Sequence, residues 1–153
     1  MTVTLTTIPD ISQSRTLLDF CHACGVTRFT ASFLYAGDDR AGADVFLRQF
    51  EPFVGGRAVL EQTVYLRKRF QERPFYRFTA ESREQILAVC GGSLLAYDVL
   101  SLPEDWTFYR EGELFFGIVS HEEHAFFRLS EPEFSRFVSL GIPYAISCDT
   151  PVA

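Results

Sequence analysis

Leu17, Leu18, Cys21 and Cys24 recur at three- to four-residue spacing, the period that places side chains on one face of an α-helix. Ser12 or Ser14 can cap such a helix and Gly25 can end it, so the spacing predicts a helix over 12–24. The pattern then turns β-branched and aromatic. In "VTRFTASFLYAG" Phe29, Ala31, Phe33 and Tyr35 alternate onto one face, "GDDRAG" supplies a turn carrying Asp38 and Asp39, and "ADVFLRQF" follows. This reads as a hairpin, with a helix as the alternative for its second arm.

Between 58 and 79, "AVLEQTVYLRKRFQERPFYRFT" alternates as two long strands turned at "QERP", because Pro74 cannot donate within a central ladder. "TAESREQILAVCGG" has a capping-box spacing from Ser82 to Gln85, an apolar stripe of Ile86, Leu87 and Cys90, and a Gly91-Gly92 stop, which predicts a second helix. "LLAYDVLSL", "WTFYR", "ELFFGIVS" and "AFFRL" are short β-prone runs punctuated by polar turns, and predict a meander of about four strands. "SEPEFSRFVSLG" closes the pattern as a third helix, with Ser130 and Glu133 in capping-box relation and Gly141 at its end. The expectation is one α+β domain over 1–153, mostly antiparallel sheet with about three helices.

Charge sharpens this picture. Net charge is −6, yet residues 84–153 carry three basic against eleven acidic side chains while residues 57–83 carry seven basic against three acidic. Such a field repels nucleic-acid phosphates at long range and attracts basic partners. The N-terminus has no basic segment followed by an apolar run, and no stretch reaches the roughly 18 apolar residues of a membrane span, so a cytoplasmic protein without membrane attachment is expected. Its four cysteines are then expected as thiols. Sixteen Phe and six Tyr point to an aromatic core or to aromatics facing a partner.

Three stretches carry candidate chemistry. "HEEH", His121 to His124, lacks the i, i+4 histidine spacing of a helical zinc protease motif; its simpler reading is a solvated turn, with a small metal-dependent enzyme using His121, His124 and nearby carboxylates as the alternative. "CHAC", Cys21 to Cys24, falls at the C-terminal end of its helix, where the macrodipole disfavours thiolate, so buried thiols account for it better than redox chemistry. A composite zinc site of Cys21, Cys24, His121 and His124 has suitable ligand types and only folding could assemble it. "YLRKRFQERPFYRF" interleaves Arg67, Lys68, Arg69, Arg73 and Arg77 with Tyr65, Phe70, Phe75, Tyr76 and Phe78, a platform for a single nucleic-acid strand or, more simply, a two-faced strand pair. No phosphate loop or nucleophile elbow is present, and no cofactor is called for.

A small acidic α+β chain with "FLYAGDDRAG" early and "LPEDWTFYREGELFFGIVSHEEHAFFRL" late is similar, in size, charge and strand-loop texture, to bacterial immunity proteins of polymorphic-toxin and type VI secretion systems. The resemblance implies a non-enzymatic protein that neutralises a cationic toxin domain by occluding its basic active-site surface. Glu104, Asp105, Trp106, Tyr109, Glu122 and Glu123 are the expected contacts, with aromatics as anchors and acids for steering. For Trp106 the core is an equal expectation, since Trp is largely buried on average. Nothing in the sequence excludes a homodimer.

Overall fold

The computed structural model describes residues 1–33, 41–64, 67–98 and 101–147, and at 41, 42, 58–64 and 67–72 the backbone alone. The expected turn at Asp38 and Asp39, Tyr35, Tyr65, Cys148 and the side chains of Arg67, Lys68, Arg69 and Phe70 lie outside the described residues. In chain order the elements are β1 (Thr2–Leu5), α1 (Ile11–Ala23), β2 (Arg28–Ser32), α2 (Ala41–Phe50), β3 (Val54–Val64), β4 (Arg67–Arg77) and α3 (Ala80–Cys90), followed by β5 (Asp105–Arg110), β6 (Glu113–Val119), β7 (His124–Arg128), α4 (Glu131–Val138) and β8 (Tyr144–Ser147). Among the described residues the strands form one eight-stranded sheet, β3-β4-β2-β5-β6-β7-β1-β8, antiparallel at every pairing. The α+β class and the predominantly antiparallel pairing are as the pattern predicts.

An aromatic row crosses the sheet at right angles to its strands. Tyr76 is paired with Phe29, Phe29 with Phe108, Phe108 with Phe116, and Phe116 with Phe127, and Val3 continues the row on β1. Ring centroids along it are 5.2, 5.7, 5.5 and 3.9 Å apart. Cross-strand neighbours on one face sit close enough for such rings to stack, and each aromatic pair adds about 0.5–1.5 kcal/mol beyond its area burial. All four described α-helices pack on this face. Phe20 of α1 meets Phe115 and Phe127; Phe46 and Phe50 of α2 meet Trp106; Arg83 of α3 lies over Phe78, which meets Phe29 and Phe108; Phe137 of α4 meets Phe127. A β-bulge between the Phe108–Phe116 and Tyr109–Leu114 pairs leaves Phe115 as the extra residue, so two consecutive phenylalanines bury their rings where strict alternation would expose one.

Several local expectations are corrected. Asp10, not Ser12 or Ser14, caps α1: its side chain accepts from Gln13 N at 2.8 Å while Gln13 Oε1 accepts from Asp10 N at 3.0 Å. This frees Ser14 to sit buried one turn inside, where its hydroxyl accepts from Leu94 N at 3.0 Å. Thr79 caps α3, with Ser82 at the reciprocal position rather than as the cap. "ADVFLRQF" is part of helix α2, not a hairpin arm, because Phe46 and Phe50, four apart, bury against the sheet. "LLAYDVLSL" forms no strand over its described residues; Leu94 and Leu95 are buried in the turns that follow α3.

β3 and β4 pair from Val54 and Tyr76 to Val64 and Arg67, so "QERP" lies inside β4 and not at its end, with Pro74 opposite Arg57. Proline is tolerated there because, among the described residues, β2 pairs with β4 only at Arg77 and Tyr76, leaving no second ladder at Pro74. Strands β1 and β8, outside the predicted meander, complete the far side of the sheet.

The β5–β6 connection fits its sequence. Glu111 and Gly112 both adopt positive φ, 51° and 80°, as a two-residue hairpin turn requires. Gly117, facing away from the helices, lies beneath the Phe126 ring: a Cβ there would meet Phe126 Cζ at 2.7 Å. Gly117→Val is therefore expected to cost about 1–3 kcal/mol in denaturant unfolding, with Phe126→Ala in the same chain recovering part of the loss.

Candidate functional site

The ladder between β2, β5 and β6 runs one residue beyond β5. Glu104 N donates to Ser32 O at 2.8 Å and Ser120 N donates to Glu104 O at 2.7 Å. Side-chain alternation then places Glu104 with Trp106 and Phe108 on the helix side of the sheet, and Asp105 with Thr107 and Tyr109 on the other. Ser120 begins a short 3₁₀ turn over 120–122, and Glu123 closes it in the left-handed region at φ 51°. "HEEH" is thus a tight connection between antiparallel strands, with His124 already in β7 opposite Val119.

At this end of the sheet His121 stands between Glu104 and Glu122. His121 Nδ1 lies against Glu104 Oε1, and its Nε2 is 3.6 Å from Glu122 Oε1. The Glu104 side chain is 1% exposed and that of His121 37%. The Glu104–His121 contact is one of proximity without hydrogen-bond alignment, since both carboxylate oxygens of Glu104 lack an aligned partner. Asp105 Oδ1, Trp106 Nε1 and Ser120 Oγ are also buried without one. Burial raises the Asp105 carboxyl above its ordinary value, Glu122 pushes in the same direction, and the Arg73 guanidinium opposes both. Arg73 is itself buried, which lowers its own affinity for a proton against the pull of Asp105.

The expected contact residues divide. Glu122 and Glu123 are exposed, and Asp105 and Tyr109 are half-buried on the face the helices leave uncovered. Trp106 has no exposed surface and takes the core position rather than the surface one, between α2 and the aromatic row. Glu104 is likewise buried, so it is no open surface contact. On the basic ribbon Tyr76 and Phe78 are committed to the core, while Phe75 stands between the Arg28 guanidinium, 5.5 Å from its ring, and the Tyr109 ring, also at 5.5 Å. Arg77 donates to Val54 O and Pro52 O at 2.9 and 2.6 Å. The described part of the ribbon is therefore engaged internally.

The two histidines diverge: His121 turns to Glu104, and the His124 ring lies 5.7 Å from Phe126. Among the described residues no three His, Cys, Asp or Glu side chains are grouped to hold a metal, so the Cys21–Cys24 and His121–His124 pairs are not brought into one site. Cys21 on α1 and Cys24 at its C-cap are free, buried thiols, as their spacing predicts. Burial raises both above the ordinary thiol value, Cys21 well above it, and raises Cys90 to about 12.

A cleft of about 360 Å³ lies at the opposite end of β5, lined by Arg110, Glu113, Leu114, Phe115 and Arg128. Its Arg110 is already held by Glu133 and by Cys24 O at 3.1 Å, and packs over Phe115. Burial works against ionisation of Glu133, but hydrogen bonds from Arg110 and Ser130 outweigh it and leave its carboxyl below the ordinary value. A lowered carboxyl contributes stability above the unfolded value and loses it as pH falls through the folded one. Glu133→Gln is expected to cost about 1–2 kcal/mol at neutral pH, a difference that is lost in paired thermal melts as pH falls through the lowered folded value.

Comparison of the chain with protein-family models, with curated proteins and with solved structures finds no match. No helix among the described residues is long and apolar enough to cross a membrane.

Proposed function

We propose that the chain is a non-enzymatic binding protein of the immunity type, which occludes a cationic toxin domain with the acidic end of its sheet. The observation that supports this reading is the one-sided packing of the helices. It leaves Phe75, Tyr109 and Phe126 half-buried on the uncovered face, with Asp105 beside them and Glu122 and Glu123 exposed at the adjoining turn. Acidic groups at such an edge steer a basic partner, and half-buried aromatics gain most from the water a partner displaces. The field is consistent with this division, since residues 84–153 carry three basic against eleven acidic side chains. The test is co-expression with the product of the adjacent gene. The chain is expected to bind that product in a salt-sensitive manner and to relieve the growth arrest it causes. Absence of binding, or stoichiometric zinc with an activity that His124→Ala abolishes, overturns the reading.

A further inference from the structure

The buried polar atoms without an aligned partner are concentrated rather than scattered. Among the described residues they belong to Glu104, Asp105, Trp106 and Ser120. Native interiors satisfy nearly all such groups, so a cluster of orphans at one place calls for a physical reason. Three of these residues, Glu104, Trp106 and Ser120, share the helix side of the sheet, and each is at most 2% exposed. What they lack is mainly donors: neither oxygen of the Glu104 carboxylate nor the Ser120 hydroxyl has a hydrogen bond, and Oε1 has only the unaligned His121 Nδ1 against it. The side chain placed against Glu104 is His121, which keeps one side in solvent and has the Tyr97 ring 6.2 Å from its own.

We infer that Glu104, Ser120 and Tyr97 form a receptor for an arginine side chain of a protein partner, and that His121 occupies this receptor in the free chain. A guanidinium presents two parallel N–H groups that match two open carboxylate oxygens, and it stacks on an aromatic ring, here Tyr97. A metal ion fits less well, because among the described residues no third ligating side chain joins Glu104 and His121. The imidazole of His121 lies against one oxygen without hydrogen-bond alignment and leaves the rest unmet, so it is the weaker of the two occupants. His121 lies on the 120–122 turn, outside the strands, so the displacement inferred is a rotation of its side chain toward solvent. The cost of displacing it reduces the apparent affinity for an incoming arginine by the fraction of molecules in which the site is open.

This inference rests on the reading that the partner is cationic, and its test avoids the partner. Arginine amide is titrated into the purified chain at constant ionic strength, with citrulline amide as the neutral isostere, and emission from Trp106, the one tryptophan in the sequence, is followed. Arginine amide is expected to give a saturable change and citrulline amide none. His121→Ala should tighten the arginine response at least about fivefold by removing the internal competitor, and Glu104→Gln should abolish it. If Glu104→Gln does not fold, Ser120→Ala serves as the second variant and should weaken the response several-fold. No saturable response in His121→Ala, an equal response to citrulline amide, or an unchanged response in the Glu104 or Ser120 variant overturns the inference. A failed titration alongside intact toxin binding removes this receptor and leaves the immunity reading. A successful titration without any toxin binding does the reverse.

Discussion

Trp106→Ala is expected to lower the stability of the fold by about 3–5 kcal/mol, the range for removing a large aromatic from a packed interior. Trp106 has no exposed surface, and its ring meets Phe29, Phe46 and Phe50, so truncation opens a cavity where β2, β5 and α2 converge. Native domains of this kind are stable by only about 5–15 kcal/mol, so the loss is a large fraction of the total. Denaturant unfolding monitored by circular dichroism measures it. Trp106→Phe, which keeps a ring in place, should lose much less. Any effect of Trp106→Ala on partner binding should then track the folded fraction. A variant that is fully folded yet dissociates faster from its partner would return Trp106 to the surface role.

Charge reversal at Glu122 and Glu123 is expected to have the largest effect on function. These side chains are exposed at the turn beside Asp105, in the acidic stretch of the chain. Glu122→Lys with Glu123→Lys should slow association with the cationic partner about 10- to 100-fold at low salt and flatten its salt dependence, with a smaller effect on dissociation. Stability should change little, because neither side chain is buried. Stopped-flow association at several salt concentrations provides the measurement. Should this pair bind normally while reversal of Arg67 and Arg69 abolishes binding, the basic ribbon is the working surface instead.

The amino-acid sequence by itself determined what depends on neighbours along the chain. The α1 stripe with its buried Cys21 and Cys24, the Ser130–Glu133 cap of α4, the Glu111-Gly112 turn and the β-prone character of β5, β6 and β7 all follow from spacing and turn chemistry, and the α+β class follows from them. What depends on distant partners was decided by tertiary structure. Alternation fits Phe46 and Phe50 to a strand as readily as helical spacing fits them to α2, and only the sheet surface they bury against distinguishes the two. Pro74 marks a turn in the sequence but lies within β4, because among the described residues the pairing of β2 with β4 ends at Phe29 and Tyr76, short of it. Strands β1 and β8 are each four residues long and hold their conformation by pairing with each other, with β1 also paired to β7 at the opposite end of the sequence.

The candidate site divides in the same way. Acids, histidine and tryptophan around 104–123 are visible as residue types, yet which of them face solvent is set by one register, Glu104 against Ser120. That register turns Glu104 and Trp106 inward and leaves Asp105 on the open face. Since side chains alternate with period two, a shift of one residue would exchange every one of these roles, and no local signal in the sequence fixes it.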